Sequence, residues 1–506
     1  MQGTNRIVVN TVILYTKILV CMAISLWTVP LVLHALGKED YGLYNLIAGV
    51  IVMLAFLNGA MTLSIQRFLS VAKGEHNEQK LLEIYNLSIV LHVLIGLAVV
   101  ILAESSFPLL FKYTFNISPD KWAISHTLFH YLVISMFFTV LAVPFDAVLN
   151  AYENMVAIAV FGIIEYVSRL GIAIALPLFD NRLGFYGCGI MSISIIMLFA
   201  KCLFIHRRYT QMAINISYCH NKKLFSEMTG FAGWNTLTSL SIMTRNQGIA
   251  VVLNHFFGTI INTAYGIGNQ INGILGYFSQ TIQKSVNPQL MESHGAHDMY
   301  KLEYMSIALT KFTCLSMCAI AIPLFIELPF ILKLWLTTVP EHTLWFTRLI
   351  IILSLLFQFS SGLMSAIQST GNVKWYTICV SIPTLSTLPV GYTSLALGYI
   401  PESVLIIACI LELFCMSLRM YFVKMQTGFS IINYFKKSIY PVLTVSSITA
   451  IAVVVLTESF EPGFFRLLLT GAVSISLFCI LTYKTALEAA EQEFVSNILK
   501  KLFHRI

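Results

Sequence analysis

Charge is scarce in this sequence. Only 11% of its 506 residues are charged, while 57% are hydrophobic; a soluble domain carries about 25% charged residues. A chain so poor in charge cannot cover a water-facing surface, so a soluble globular protein is excluded. Alternation of apolar and polar residues at every second position is also missing, which excludes a membrane β-barrel. The ten cysteines, among them Cys21, Cys202, Cys314 and Cys318, form no framework of extramembrane pairs. Structural disulfides are therefore not expected. No Cys/His spacing reads as a metal site.

What the chain has instead is apolar runs long enough to cross a bilayer core of roughly 30 Å, which takes about 20 residues. Fourteen can be read, from 8–34 at one end to 463–483 at the other. The first is too long for a signal-peptide core and should stay as a helix. With the N-terminus assigned to the cytoplasm, twenty of the 31 Lys and Arg fall inside and seven outside. The bias places both termini in the cytoplasm. The net charge of +7 then faces anionic lipid heads, so membrane lipids are the partners and nucleic acid is not needed.

The longest basic connection, "HRRYTQMAINISYCHNKKLF" (His206 to Phe225), follows six spans and precedes eight. The expected organisation is an N-terminal six-helix lobe (1–205), a cytoplasmic linker (206–228), a C-terminal six-helix lobe (229–425), an extra helix pair (437–483) and an interfacial amphipathic helix (484–506). The last rests on Leu487, Phe494, Ile498, Leu502 and Ile506 at helical spacing, with Lys500, Lys501 and Arg505 elsewhere. A faint repeat supports two lobes. Aligning Gly37 with Gly258 also aligns His34 with His255 and Tyr44 with Tyr265. Parallel repeats of this kind are common in transporters.

Polar residues inside the spans mark candidate sites. Asn235, Thr238, Ser241, Arg245 and Gly248 share one stripe of the seventh span, and Asn269, Asn272, Gly276, Gln280, Gln283 and Asn287 share one of the eighth. Lipid cannot satisfy amides, so these stripes should line a cavity or join helices; cavity lining is the favoured reading. Ile271 and Ile282 are expected to face lipid. Lys17 lies about ten residues into the first helix, roughly 15 Å deep, which is far for snorkelling. Arg67, nearer the end of the second span, can snorkel or contact cargo. Glu165 and Arg169, four apart, should neutralise one another. Asp146 and Glu153 should be solvated, and His92, His126 and His130 should make hydrogen-bonded helix contacts. A cation such as Arg245 or Lys17 within a membrane costs roughly 2.5–3.5 kcal/mol. Both are expected to face one central cavity between the lobes, where an anionic cargo offsets that cost.

Three stretches resemble a known family: "LYTKILVCMAISLWTVPLVLHALGKEDYGLYNLIAGVIVMLAFLNGAMTLSIQRFLS", "PFDAVLNAYENM" and "FAGWNTLTSLSIMTRNQGIAVVLNHFFGTIINTAYGIGNQINGILGYFSQTIQKSVNPQL". They are similar to polysaccharide-repeat-unit flippases of the Wzx type, within the superfamily of multidrug, oligosaccharidyl-lipid and polysaccharide (MOP) exporters. The resemblance implies an all-α, MATE-like membrane protein of about 14 helices, with two six-helix lobes around a central cavity and alternating access. It implies a cargo of oligosaccharide on undecaprenyl pyrophosphate, carried to the outer leaflet of the bacterial cytoplasmic membrane. A polysaccharide polymerase is an implied partner. Lys17 and Arg245 match the family's cationic lining, and Asn154 stands where relatives often carry a base. No cofactor is expected; coupling to an H+ or Na+ gradient or to the membrane potential stays open. A multidrug cation exporter of this fold typically needs a carboxylate in the first helix, which is absent here. A lipid II flippase shares the charge logic. A membrane-embedded glycosyltransferase would need larger external loops with catalytic groups.

Overall fold

The computed structural model describes residues 2–54, 56–109, 121–215, 221–336, 339–489, 491–493 and 496. The described chain is nearly all helix. The long helices are α1 (Gln2–Leu54), α2 (Phe56–Gly74), α3 (Glu78–Leu109), α4 (Trp122–Ala151), α5 (Met155–Ala175), α6 (Arg182–Arg208), α7 (Lys222–Gly295) and α8 (Met299–Trp335). They are followed by α9 (Thr343–Gln358), α10 (Ser361–Thr370), α11 (Lys374–Ala396), α12 (Ser403–Thr427), the short α13 (Ile431–Tyr434), α14 (Tyr440–Glu458) and α15 (Phe464–Leu481).

Among the described residues ten helices are long and apolar enough to cross a membrane, and the α9–α10 pair, bent by 43°, makes an eleventh. The second, seventh and eighth expected spans lie in α1–α2 and in α7. Both regions are helical, but polar residues interrupt their apolar runs. At about 1.5 Å per residue each half of α7 still exceeds the bilayer core. The protein is therefore an all-α polytopic membrane protein. The expected C-terminal amphipathic helix (484–506) lies mostly outside the described residues.

The internal repeat runs further than the glycine alignment alone shows. Gly37 breaks α1 at φ 80°, ψ 169°. Gly258, 221 residues on, breaks α7 at φ 74°, ψ −164°. This backbone region is open essentially to glycine only. The same offset relates the turns that follow. His76 and His297 both take positive φ, 54° and 56°. Asn77 and Asp298 behind them cap the next helix, accepting from the Lys80 and Lys301 amides at 2.9 and 3.0 Å. Exposure repeats as well. Thr16, Leu19, Ala23, Leu26 and Leu33 are exposed, and so are their counterparts Leu237, Leu240, Thr244, Gln247 and Asn254.

Contacts divide the chain into two units, residues 8–236 and 237–506, the latter with residues 1–7. In the first, α4 packs on α6 around Leu128, Phe129, Leu132, Leu183 and Tyr186. Asn154 caps α5 by accepting from the Ala157 amide at 3.1 Å, and its Nδ2 donates to the Tyr209 hydroxyl. In the second, α8 holds the last helix pair. Arg466 of α15 donates to buried Glu327 at 2.9 Å, as does Thr470 at 3.0 Å. At the other end of α8, Lys311 pairs with Glu491 at 2.6 Å, both buried.

Candidate substrate site

Arg245 and Lys17 each belong to a charge cluster, one in each unit. In the second, Arg245 of α7 is 7% exposed and donates through Nη1 to Glu412 Oε2 of α12 at 3.2 Å. Glu412 Oε1 accepts from Arg419 Nη1 at 2.6 Å. One buried carboxylate therefore sits between two buried arginines, and the cluster carries a net +1. Glu412 and Arg419, seven apart on α12, meet because two helical turns return them to one face. Arg419, counted above as an inside base, is 2% exposed and buried with this cluster. Its guanidinium also lies over the Phe357 ring at 5.2 Å and reaches Ser360 Oγ at 3.3 Å.

Ser360 lies at the break between α9 and α10. A broken membrane helix frees backbone groups that protein must satisfy. Here Tyr434 donates to the Phe359 carbonyl at 2.9 Å, and the Gly362 amide donates to Thr310 Oγ1 at 2.9 Å. Gly362 must be glycine, since a Cβ would sit 1.9 Å from the Ser306 carbonyl oxygen of α8. Discontinuous helices of this kind often form transporter binding sites.

The amides of the eighth span meet the same α9–α10 pair. Ser354 donates to Asn272 Oδ1. Gln283 Nε2 donates to Gln358 Oε1 at 3.3 Å, and Ser365 to Asn287 Oδ1 at 2.9 Å. Asn269 bonds the Tyr265 carbonyl of its own helix at 3.2 Å. These four thus make helix contacts, while Gln280 is exposed. With Gln280 on the exposed face lie Gln270, Gly273, Tyr277 and Lys284. The seventh-span stripe turns inward too. Gly248 packs on Leu388, and Thr238 bonds Thr377 at 3.3 Å, both partners on α11. Ile271 and Ile282, expected to face lipid, are instead buried in protein. A helical period locates a stripe without saying what covers it.

In the first unit Lys17 makes no ion pair or hydrogen bond among the described residues. Its side chain lies across Gly162 of α5, where a Cβ would come within 2.3 Å of its Cε. Arg169 pairs with Glu165 on the same helix at 2.8 Å. Gly162, Glu165 and Arg169 are spaced three and four apart along α5 and so share a face, which places Lys17 beside the half-exposed pair; the group of two cations and one carboxylate also carries a net +1. Arg67 is buried between the Phe68 and Phe231 rings, at 4.8 and 4.9 Å. Buried Asn235 leaves its Nδ2 without a partner among the described residues. Glu153, at φ 54°, is 5% exposed rather than solvated; Asp146 pairs with Lys201 at 2.6 Å. His92 contacts the Ser88 carbonyl at 2.7 Å as expected.

The chain matches no protein-family model and no curated protein. Its likeness is to solved structures. An outward-facing multidrug resistance MATE family transporter of the MOP superfamily matches with TM-score 0.70 and 14% identity, over 84% of this chain and 96% of that one. A mutant of the Vibrio cholerae MATE transporter VcmN matches with TM-score 0.67 and 14% identity, over 86% and 99%. A MOP superfamily transporter from Pyrococcus furiosus, described as having a binding pocket of reversed polarity that suggests a different function, matches with TM-score 0.66 and 14% identity, over 83% and 95%. The fold is thus that of MATE-type transporters of the MOP superfamily, and the protein is a multi-pass membrane protein. The solved structures it resembles are transporters rather than enzymes.

Proposed function

We propose that this protein is a flippase for undecaprenyl-pyrophosphate-linked oligosaccharide repeat units. It moves them by alternating access from the inner to the outer leaflet of the bacterial cytoplasmic membrane, for O-antigen, capsule or exopolysaccharide synthesis. Both termini are cytoplasmic on this reading. The supporting observation is the sign of the charge carried within the spans. The Arg245 group and the Lys17 group each hold two cations and one carboxylate, and among the described residues Lys17 has no counter-ion of its own. An anionic cargo supplies what is missing. Arg suits bidentate phosphate contact, while Lys acts as a point charge. Lys17, Arg245 and Arg67 are the proposed phosphate contacts. Asn235 and Gln280 are proposed sugar contacts, and Asn269, Asn272 and Gln283 join them by exchanging their present bonds. Glu412 holds Arg245 until the cargo arrives.

A multidrug cation exporter is the rival reading, and one matched structure is described as a multidrug resistance MATE family transporter. A cationic drug would meet net positive charge in both units. The test is proteoliposomes with fluorescent lipid-linked oligosaccharide, assayed for leaflet exchange and covalent change, alongside a cationic dye. Leaflet exchange without a new covalent product supports the flippase. Dye export without lipid exchange would replace it with the drug exporter.

A further inference from the structure

Glu104 of α3, with His126 and His130 of α4, forms a cluster away from both charge clusters. His126 and His130 are one helical turn apart, so their rings share a face. Their Nε2 atoms lie 3.4 Å apart. The other nitrogen of His130, Nδ1, lies 2.8 Å from Glu104 Oε1. An ionised carboxylate only accepts, so Nδ1 is the donor. In neutral His130 this leaves the Nε2 lone pair aimed at His126. Phe107 fixes both rings, edge-on to His126 at 4.7 Å and stacked on His130 at 5.7 Å.

We infer that this cluster is a binding site for a transition-metal dication of the zinc type. Two zinc–nitrogen bonds of about 2.0–2.1 Å at the tetrahedral angle place their nitrogens about 3.3–3.4 Å apart. That is the separation found. It is long for a direct hydrogen bond between nitrogens, which prefers roughly 2.7–3.2 Å. Glu104 occupies the place of the carboxylate that orients a metal-bound imidazole from behind. Among the described residues no three His, Cys, Asp or Glu side chains converge on one point. Among the described residues the proposed chelate takes two ligands, with water or small anions completing the tetrahedron. His130 is 34% exposed at its side chain and Glu104 38%, so the cluster is open at the protein surface. Bound metal would tie the end of α3 to the start of α4 through Glu104.

The test uses the purified full-length protein in detergent, without a polyhistidine tag. Zinc binding is measured by equilibrium dialysis and by thermal shift, with magnesium as control. The expected result is one zinc equivalent in the wild type that is lost in the His126→Ala/His130→Ala variant. Glu104→Gln should retain the site but weaken it about 10–100-fold. Zinc should raise the wild-type melting temperature, magnesium should not, and the double variant should be insensitive. Monodisperse elution of each variant confirms folding. Zinc binding of equal stoichiometry and affinity in wild type and double variant would overturn the site, as would no zinc binding by the wild type.

Discussion

Glu412 is the carboxylate on which two buried arginines depend, and its removal makes a sharp prediction. In Glu412→Gln, Arg245 and Arg419 keep their charges and lose their shared counter-ion. Breaking a buried pair in this way destabilises by about 3–5 kcal/mol. At about 1.4 kcal/mol per decade that is two or more decades in the unfolding equilibrium. Arg245→Met behaves differently. Glu412 then keeps Arg419 at 2.6 Å, so the buried charge falls from +1 to zero and no carboxylate is stranded. The loss should be smaller, about 1–2 kcal/mol. The variant Arg245→Met/Glu412→Leu/Arg419→Leu removes every charge together. Apolar replacement of a buried triad is often neutral or stabilising, so it should fold at least as well as Glu412→Gln. It should nevertheless fail to flip lipid, because the cations are gone. Unfolding is followed in mixed micelles by titration with sodium dodecyl sulfate, and function in proteoliposomes. A Glu412→Gln stability within 1 kcal/mol of wild type would refute the counter-ion account. Normal lipid exchange by the charge-free variant would remove the cluster from the mechanism.

Three further outcomes are expected. Cysteines placed at Gln270 and Gln280 should react with water-soluble thiol reagents far faster than those at Ile271 and Ile282; equal labelling would contradict the exposed stripe on α7. Arg245→Ala and Lys17→Ala should each impair export without loss of folded protein, and Arg245→Lys should restore only part of it, since the guanidinium fork is lost; in vivo export at matched expression reads this out. Gly37→Ala and Gly258→Ala should each destabilise by about 1–3 kcal/mol through backbone strain alone, because a Cβ meets nothing within 4 Å at either site; unchanged unfolding would sink that assignment.

The fold was largely readable because membrane helices announce themselves by apolar length, and a lone glycine alignment already marked both helix breaks. The site was harder to read. Lys17 and Arg245 stand out as cations in apolar runs. Glu412 and Arg419 lie in an equally apolar run, "LELFCMSLRM", and their spacing of seven was a usable signal. The span-eight amides show the limit of periodicity. Asn272 and Gln283 form a polar stripe in the sequence, but only packing reveals Ser354 and Gln358 opposite them. Ile271 was misplaced for the same reason: an apolar face suits lipid and protein alike, and here α8 and α9 cover it. His126 and His130 carry a one-turn spacing, yet Glu104 joins them only through the packing of α3 on α4.

The charge count also bears on energy supply. Each unit's cluster carries a net +1, and the proposed cargo brings about two negative charges on its pyrophosphate. The loaded carrier is then near neutral and should cross between its two states with little electrical work. The empty carrier must return two net positive charges towards the cell interior, which is negative. One charge crossing the whole field is worth about 2.3 kcal/mol per 100 mV. If the clusters sense about half of it, two charges together gain about 2.3 kcal/mol at 100 mV. That biases the return step about fifty-fold, at 1.36 kcal/mol per decade. The hypothesis is that membrane potential alone accelerates turnover, with a coupled proton or sodium ion as an addition. The assay is the proteoliposome system under a potassium–valinomycin potential of either sign, at equal pH and sodium. An interior-negative potential should speed net exchange towards the outer leaflet, and reversing its sign should slow it. The triple variant, left with only the first unit's net charge and without Arg245, should show neither transport nor this sensitivity. In Arg245→Met, which loses one of the two net charges, any residual transport should show about half the electrical bias. Net exchange that ignores the sign and size of the potential would refute the electrical account and leave the flippase proposal standing.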